Sequence, residues 1–270
     1  MIDRSSITAW GVAHPWPKKN YVEQDLIICR AIVAIFSDPL LSKELAWRGG
    51  TALHKLYLMP QARYSEDIDL VRTGTGPVKP IIERLDEVLK WLPNKSFEQR
   101  RFGFRMKFRY ESEMPPVEPM RLKVEANTFE HFSELPLSYV PFSVESPYFT
   151  GSCSVTTYEL DELLGTKLRA MYQRKKVRDL FDMDYALGIA KVDASQLLRC
   201  WGKYMSTDGH LPPTRREFIE NMNLKMASPD YLNDMQDILR PGVVFDPRLA
   251  FQRVQEQVLN LIDTVLFAER

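Results

Sequence analysis

Cysteine is scarce in this sequence, which contains three, Cys29, Cys153 and Cys200. They are odd in number and far apart, and they show none of the paired spacings of a disulfide framework or a zinc site. The scarcity therefore excludes a small disulfide-rich secreted domain and a zinc-stabilised fold.

A surplus of one charge is also absent, because Lys+Arg and Asp+Glu both number 36. Net charge therefore points to no class of partner, and only local clusters of charge can do so.

Long hydrophobic runs are missing as well. The most apolar segment, residues 26–36, is far too short to span a bilayer and carries Arg30 in its middle. Residues 1–17 do not combine a basic start with a long apolar core, so we expect no secretory signal. These absences predict a protein of the cytoplasm with no membrane segment.

The most distinctive pattern lies in residues 47–70. Gly49-Gly50-Thr51 precedes a short helical segment, and Asp67-Ile68-Asp69 follows in a segment that reads as a strand. Glycines allow the backbone to approach a phosphate, and a helix beginning near Thr51 would offer its first N–H groups to that anion.

Asp67 and Asp69 would project from one face of their strand, about 7 Å apart, because side chains alternate along a strand. Two such carboxylates can share one or two Mg²⁺ ions that hold a triphosphate. The alternative is an ordinary turn followed by a solvated strand end, since short motifs recur by chance. The order of the two halves favours metal-assisted nucleotide transfer.

The rest of the chain predicts two lobes. An α/β lobe, residues 1–155, precedes a mostly helical lobe, residues 156–270, with helix starts at Thr214, Ser228 and Asp246. Proline-punctuated residues 134–147 read as irregular, and the apolar stripe near the end of the chain reads as one final helix. The other segments read as helices at 21–37, 51–58 and 77–92 and as strands at 44–48, 64–72, 104–110, 121–127 and 152–156.

Glu125 is the candidate for a third carboxylate, because it lies on the polar face of a strand predicted to neighbour the aspartates. The alternative is a salt bridge to a basic residue on the same faces. The sequence leaves both open. The possible basic partners are Arg105, Lys107 and Lys123.

A basic segment follows in the helical lobe. On one continuous helix, Lys167, Arg174, Arg178 and Asp182 would share a narrow stripe that could grip phosphates, with Asp182 orienting Lys167. The alternative is a solvated face with internal salt bridges, which spacing alone favours. Residues 163–178 contain six basic side chains and no acidic one: Lys167, Arg169, Arg174, Lys175, Lys176 and Arg178.

These segments together resemble a known family. Gly49-Gly50-Thr51-Ala52-Leu53-x-Lys55, then Arg63-x-Ser65-Glu66-Asp67-Ile68-Asp69-Leu70, and later Lys167-Leu168-Arg169-Ala170, Arg174 and Arg178-Asp179-Leu180-Phe181-Asp182 are similar to motifs of AbiEii/AbiGii-type nucleotidyltransferases. These are the abortive-infection toxins of type IV toxin–antitoxin systems, with MenT relatives in mycobacteria. The resemblance covers about the first 190 residues in order.

The resemblance implies an α+β fold, namely a polymerase-β-like core with a mixed sheet and a helical C-terminal lobe. It also implies Mg²⁺ or Mn²⁺ and an NTP donor. Its catalytic residues would be Asp67, Asp69, Lys167 and Asp182, with Asp67 and Asp69 as metal ligands. Its nucleotide-binding residues would be Gly49, Gly50, Thr51, Lys55, Arg174 and Arg178. Glu125 is a third candidate metal ligand from its place on the strand, with no motif of the family behind it.

In MenT-like members the acceptor is tRNA, whose 3′ end is extended. We therefore expect an NTP-dependent transferase acting on a tRNA 3′ end, with a cognate antitoxin as a further partner. Alternatives are a protein or small-molecule acceptor, or a nucleotide-binding regulator without turnover. The basic side chains on two strands would form an electrostatic track for RNA: Arg105, Lys107, Arg109, Arg121 and Lys123.

Overall fold

The structure is a computed structural model that describes residues 2–207, 209, 211–235 and 237–267. The chain divides into two compact units. The first runs from the N-terminus to Tyr158, except that residues 57–62 and 134–136 group with the second, which otherwise begins at Glu159. The sequence predicted one boundary between residues 155 and 156 and did not predict the two short exchanges.

The first unit is built on a seven-stranded sheet with the order β3-β4-β5-β2-β1-β7-β6. The pairs β2–β5 and β1–β7 are parallel and the others antiparallel, so the predicted mixed sheet is confirmed. Its strands are β1 Leu45–Arg48, β2 Asp67–Arg72, β3 Lys95–Arg100, β4 Gly103–Glu111, β5 Pro119–Asn127, β6 Leu137–Glu145 and β7 Thr150–Tyr158.

The helices of this unit pack their apolar residues into the core. In the second helix Leu26, Ile27 and Ile28 are completely buried. Asp38 begins the third by accepting backbone hydrogen bonds from Leu40 and Leu41, each at 3.0 Å. The helices are α1 Arg4–Ala13, α2 Lys19–Phe36, α3 Pro39–Glu44, α4 Gly49–Leu56 and α5 Lys79–Val88.

The second unit is helical among its described residues, as the pattern predicted. Thr214 forms a reciprocal capping box with Glu217, and Asp246 caps the helix that begins at Pro247. The helices are α6 Leu160–Gln173, α7 Val177–Ile189, α8 Ala194–Met205, α9 Arg215–Met226, α10 Pro229–Leu232, α11 Pro247–Gln257 and α12 Ile262–Leu266.

Several elements differ from the sequence-based prediction, which also named neither α1 nor α3. Residues 134–147 contain β6, an edge strand that the sequence analysis read as irregular because of the prolines in and around it, although its residues alternate in exposure. β3 was not predicted because it is an edge strand of mostly exposed polar residues. The single final helix is interrupted at Val258 and continues as a 3₁₀ turn, Leu259–Leu261, before α12. Among the described residues no helix is both long and apolar enough to cross a membrane.

Gly103 fixes the turn between β3 and β4 against β5. Its φ is +155°, and an added Cβ would overlap the carbonyl oxygen of Ala126. We expect Gly103→Ala to lower the free energy of unfolding by about 3 kcal/mol, because the backbone must shift. Urea unfolding followed by circular dichroism measures the change.

Gly11→Ala is the matched control, since Gly11 lies inside α1 and an added Cβ there would make only ordinary contact with Val22. It should be neutral or stabilising by about 0.5 kcal/mol. Equal effects of the two substitutions would show that the turn does not depend on close approach to β5.

Candidate functional site

The two aspartates of the first motif lie on one face of β2, as predicted. Asp67 and Asp69 are partly exposed, while Ile68 and Leu70 between and beyond them are buried in the core. The strand is held on both sides, by β1 and by β5, so the spacing of the carboxylates is set by an internal strand of the sheet.

The glycine pair is pressed against this face. Gly49 has φ +86°, and an added Cβ would overlap Asp69 Oδ2. An added Cβ at Gly50 would overlap the guanidinium of Arg63, a buried residue of the second motif to which the sequence analysis gave no role. Both glycines are therefore required by close approach, and α4 begins directly beside the carboxylate of Asp69.

Thr51 was predicted to begin a helix, but α4 begins at Gly49 and Thr51 is its third residue. Its buried hydroxyl lies 2.6 Å from the backbone oxygen of Asp67 and 2.8 Å from Ser65 Oγ. Thr51 therefore ties the glycine turn to the first residues of β2. This contact keeps the turn and the aspartates in a fixed relation.

Basic side chains of β5 and β4 form ion pairs with carboxylates on this face of the sheet. Lys123 lies opposite Asp67 in register, and its Nζ is 2.8 Å from both oxygens of that carboxylate. Glu125 lies opposite Asp69, and Arg105 Nε donates to Glu125 Oε1 at 2.7 Å. The salt bridge that the sequence left as the alternative for Glu125 is thus present.

The donor set at Asp67 and Asp69 fits a hard cation such as Mg²⁺, which typically takes one or two carboxylates and completes its shell with water and phosphate oxygens. Within residues 2–207, 209, 211–235 and 237–267, no three or more His, Cys, Asp or Glu side chains form a group that could hold a metal ion. A ligand role for Glu125 stays a prediction.

Lys55 does not have the setting expected of a nucleotide-binding residue. Its ammonium is buried and lies 2.7 Å from Asp25 Oδ1 on α2, while Trp10 Nε1 donates to Asp25 Oδ2 at 2.9 Å. Asp25 raises the pKa of Lys55 against the opposing effect of burial, so the lysine stays charged. The pair joins α2 to α4 inside the first unit.

The basic segment of the second unit is not one continuous helix, so the predicted stripe is wrong. α6 ends at Gln173 and α7 begins at Val177, and Arg174 lies in the break. Lys167 and Asp182 nevertheless meet, because α6 packs against α7, with Lys167 Nζ 3.0 Å from Asp182 Oδ2.

Asp179 is the centre of this cluster. It lies 3.1 Å from Lys167 Nζ and accepts two hydrogen bonds from Arg174, at 2.7 and 2.8 Å. Burial acts to raise the pKa of Asp179, but the charges of Lys167 and Arg174 outweigh it and lower the pKa. Sequence analysis assigned Asp179 no role, although its spacing of three residues from Asp182 puts both on one helix face.

The predicted residues thus form two groups, one in each unit. The first contains Gly49, Gly50, Thr51, Asp67 and Asp69, with Glu125 beside Asp69. In the second, Lys167, Arg174 and Asp182 surround Asp179, whereas Arg178 lies partly exposed on α7. A nucleotide-binding role for the second group stays a prediction.

Residues 30–257 match the model of the family described as "Nucleotidyl transferase AbiEii toxin, Type IV TA system". Comparison with curated proteins gives no match.

Two solved structures share the fold. MenT4, a nucleotidyltransferase toxin from Mycobacterium tuberculosis, superposes with a TM-score of 0.63 at 16% identity and covers 98% of this chain and 99% of its own. JHP933 from Helicobacter pylori has a TM-score of 0.54 at 16% identity and covers 92% of this chain and 94% of its own. At such low identity these likenesses concern the fold alone.

Lys55→Met tests whether this lysine serves stability. The substitution leaves the buried Asp25 carboxylate without the ammonium, so the free energy of unfolding should fall by about 3–5 kcal/mol in urea titrations. Lys79→Met, at a highly exposed residue, should change it by less than about 0.5 kcal/mol. A Lys55→Met protein as stable as the wild type would return Lys55 to the nucleotide-binding candidates.

Asp179→Asn should change the pH dependence of stability. Because folding lowers the pKa of Asp179, its contribution is present above the ordinary Asp pKa of about 3.9 and is lost as the pH falls through the lowered value. The variant should be less stable at pH 7 and lose less stability between about pH 5 and 2. Urea unfolding across this range measures both.

Asp161→Asn is the control, and it should change the pH dependence of stability in the opposite direction, because burial raises the pKa of Asp161. A carboxylate with a raised pKa costs stability at neutral pH and regains it as the pH falls. An acid profile of Asp179→Asn that matches the wild type would contradict the assignment.

Proposed function

Because the chain belongs to the AbiEii nucleotidyltransferase toxin family of type IV toxin–antitoxin systems, we propose that it transfers a nucleotide from an NTP to a tRNA 3′ end with the help of Mg²⁺. The observation that carries this proposal is the pairing of Asp67 and Asp69 on one face of β2, with the Gly49 turn directly against Asp69. The cognate antitoxin would be a further partner, and the cytoplasm its place of action.

A bound Mg²⁺ would hold the triphosphate and reduce the charge barrier to attack at phosphorus. Asp67 and Asp69 would bind the ion, whereas Glu125 is already engaged by Arg105. The backbone at Gly49 and Gly50 would lie close to the phosphates, because neither residue carries a side chain. A cation at Asp67 would compete with the ammonium of Lys123.

The charge pattern of β4 and β5 supports RNA as the acceptor. Lys107 lies opposite Lys123, and Arg109 lies opposite Arg121. Like charges in directly opposed positions destabilise a sheet, and a polyanion would relieve that repulsion. Arg109 and Arg121 are both exposed, whereas Lys107 and Lys123 also contact Glu98 and Asp67.

Asp69→Asn tests the chemistry. Purified protein incubated with α-labelled NTPs, Mg²⁺ and total tRNA should label the RNA, and the variant should lose at least about 100-fold in rate because half of the carboxylate pair is gone. Chelation of the metal should abolish labelling in the wild type.

Asp86→Asn is the control, since Asp86 lies on the exposed side of α5 and pairs with Lys95. It should label as the wild type does. Label found on a protein or a small molecule would contradict the tRNA acceptor while sparing the transfer, and a fully active Asp69→Asn would contradict the assignment of the site.

A further inference from the structure

Two large aromatic side chains lie exposed beside one another at the end of the sheet. Phe102, in the turn between β3 and β4, is 47% exposed, and Phe129, just after β5, is 54% exposed. Their ring centroids are 5.1 Å apart at an interplanar angle of 52°. Because burial of an aromatic side chain stabilises a fold, two rings left about half exposed are not explained by stability alone.

The backbone presents these rings in fixed positions. Thr128 N donates to Phe102 O at 3.0 Å, which joins the two segments. Asn127 Oδ1 accepts from the backbone N–H groups of Phe129 and Glu130, at 2.8 and 3.0 Å. Gly103 also packs closely against the carbonyl oxygen of Ala126 on β5, which holds the turn that carries Phe102. The rings are therefore preorganised for a partner.

A positive charge lies beside one of the rings. The guanidinium of Arg101 lies 4.8 Å from the centroid of Phe102. Arg101 and Arg100 are both exposed, and Arg100 pairs with Glu98 at 3.1 Å. Glu130, next to Phe129, is buried and accepts a hydrogen bond from Arg48 at 2.6 Å. The exposed surface at this turn thus offers flat apolar faces and cations together.

The aromatic pair is close to the carboxylates along the same strands. Asp69 of β2 lies opposite Glu125 of β5 in register, and Asn127 of β5 lies opposite Gly103 of β4. Two residues of extended strand separate Glu125 from Asn127, which is about 7 Å. An RNA strand whose end lies at Asp69 could therefore also contact the rings of Phe102 and Phe129.

We propose that Phe102, Phe129 and Arg101 form a stacking platform for unpaired bases near the 3′ end of an RNA acceptor. This inference rests on the proposed transfer to RNA and adds the surface that holds the acceptor. Single-stranded RNA is bound by exposed aromatic rings and Arg guanidinium planes on which successive bases stack, beside a basic surface for the phosphates. All three features occur together here.

The test measures RNA affinity by fluorescence anisotropy with the full chain. The probes are a labelled RNA stem-loop with a short single-stranded 3′ overhang and the same stem-loop with a blunt end. Phe102→Leu/Phe129→Leu keeps the apolar character but removes the aromatic faces. We expect it to weaken binding of the overhang RNA by about 10–100-fold and to leave the blunt RNA nearly unchanged.

Two controls separate stacking from other causes. Phe102→Trp/Phe129→Trp should bind the overhang RNA at least as tightly as the wild type, because aromatic faces remain. Tyr139→Ala removes an exposed aromatic ring from β6, at the opposite edge of the sheet, and should not change affinity. The increase in melting temperature caused by NTP and Mg²⁺ should be the same in all these variants.

The outcomes distinguish the platform from the proposed function. If the wild type labels RNA and the leucine variant binds the overhang as tightly as the wild type, the platform is wrong and transfer to RNA stands. If the wild type transfers label only to a protein or a small molecule, the platform and the RNA acceptor are both wrong. Equal loss of blunt and overhang RNA in the leucine variant would also overturn the platform.

Discussion

The close approach of the Gly49 backbone to the Asp69 carboxylate is the constraint on which the candidate site depends. It places the start of α4, with its N–H groups, beside the Asp69 carboxylate of β2. A side chain at Gly49 would occupy the space of Asp69 Oδ2, and one at Gly50 would displace Arg63. The site therefore requires glycine at both positions, because a residue without a side chain lets the start of a helix approach a carboxylate closely.

Charged residues in this protein serve two different purposes, and their spacing in the sequence does not distinguish them. Lys55 belongs to a motif of the nucleotidyltransferase family, yet its ammonium is buried against Asp25 and stabilises the packing of α2 and α4. Asp67 and Lys123 also form an ion pair, but both remain partly exposed. Burial distinguishes the two pairs, because a buried partner is lost only at a large cost in stability, whereas a partly exposed pair contributes little and can exchange its partner for a ligand.

The sequence predicted the architecture of the first unit well where strands are internal. β4 and β5 alternate clearly between core and polar face, β2 alternates around its two aspartates, and β1 is a short apolar run. The predicted bounds of all four agree with the structure within about three residues. It failed at the edge strands β3 and β6, which bury little and are held through backbone hydrogen bonds to their neighbours. Such bonds depend on a partner strand and leave a weak imprint on side-chain pattern.

By itself the sequence determined the nucleotidyltransferase family and its mixed α+β class, through the resemblance of its motifs. It also determined that the acidic pair shares one strand face after the glycine turn, because this rests on local order and alternation. Only the tertiary structure decided which charges pair. In the tertiary structure, Lys55 pairs with Asp25, Arg105 with Glu125 and Lys167 with Asp179. It also brought Phe102 and Phe129 together from separate segments. These contacts join residues far apart in the chain or across a helix break, and packing alone decides them.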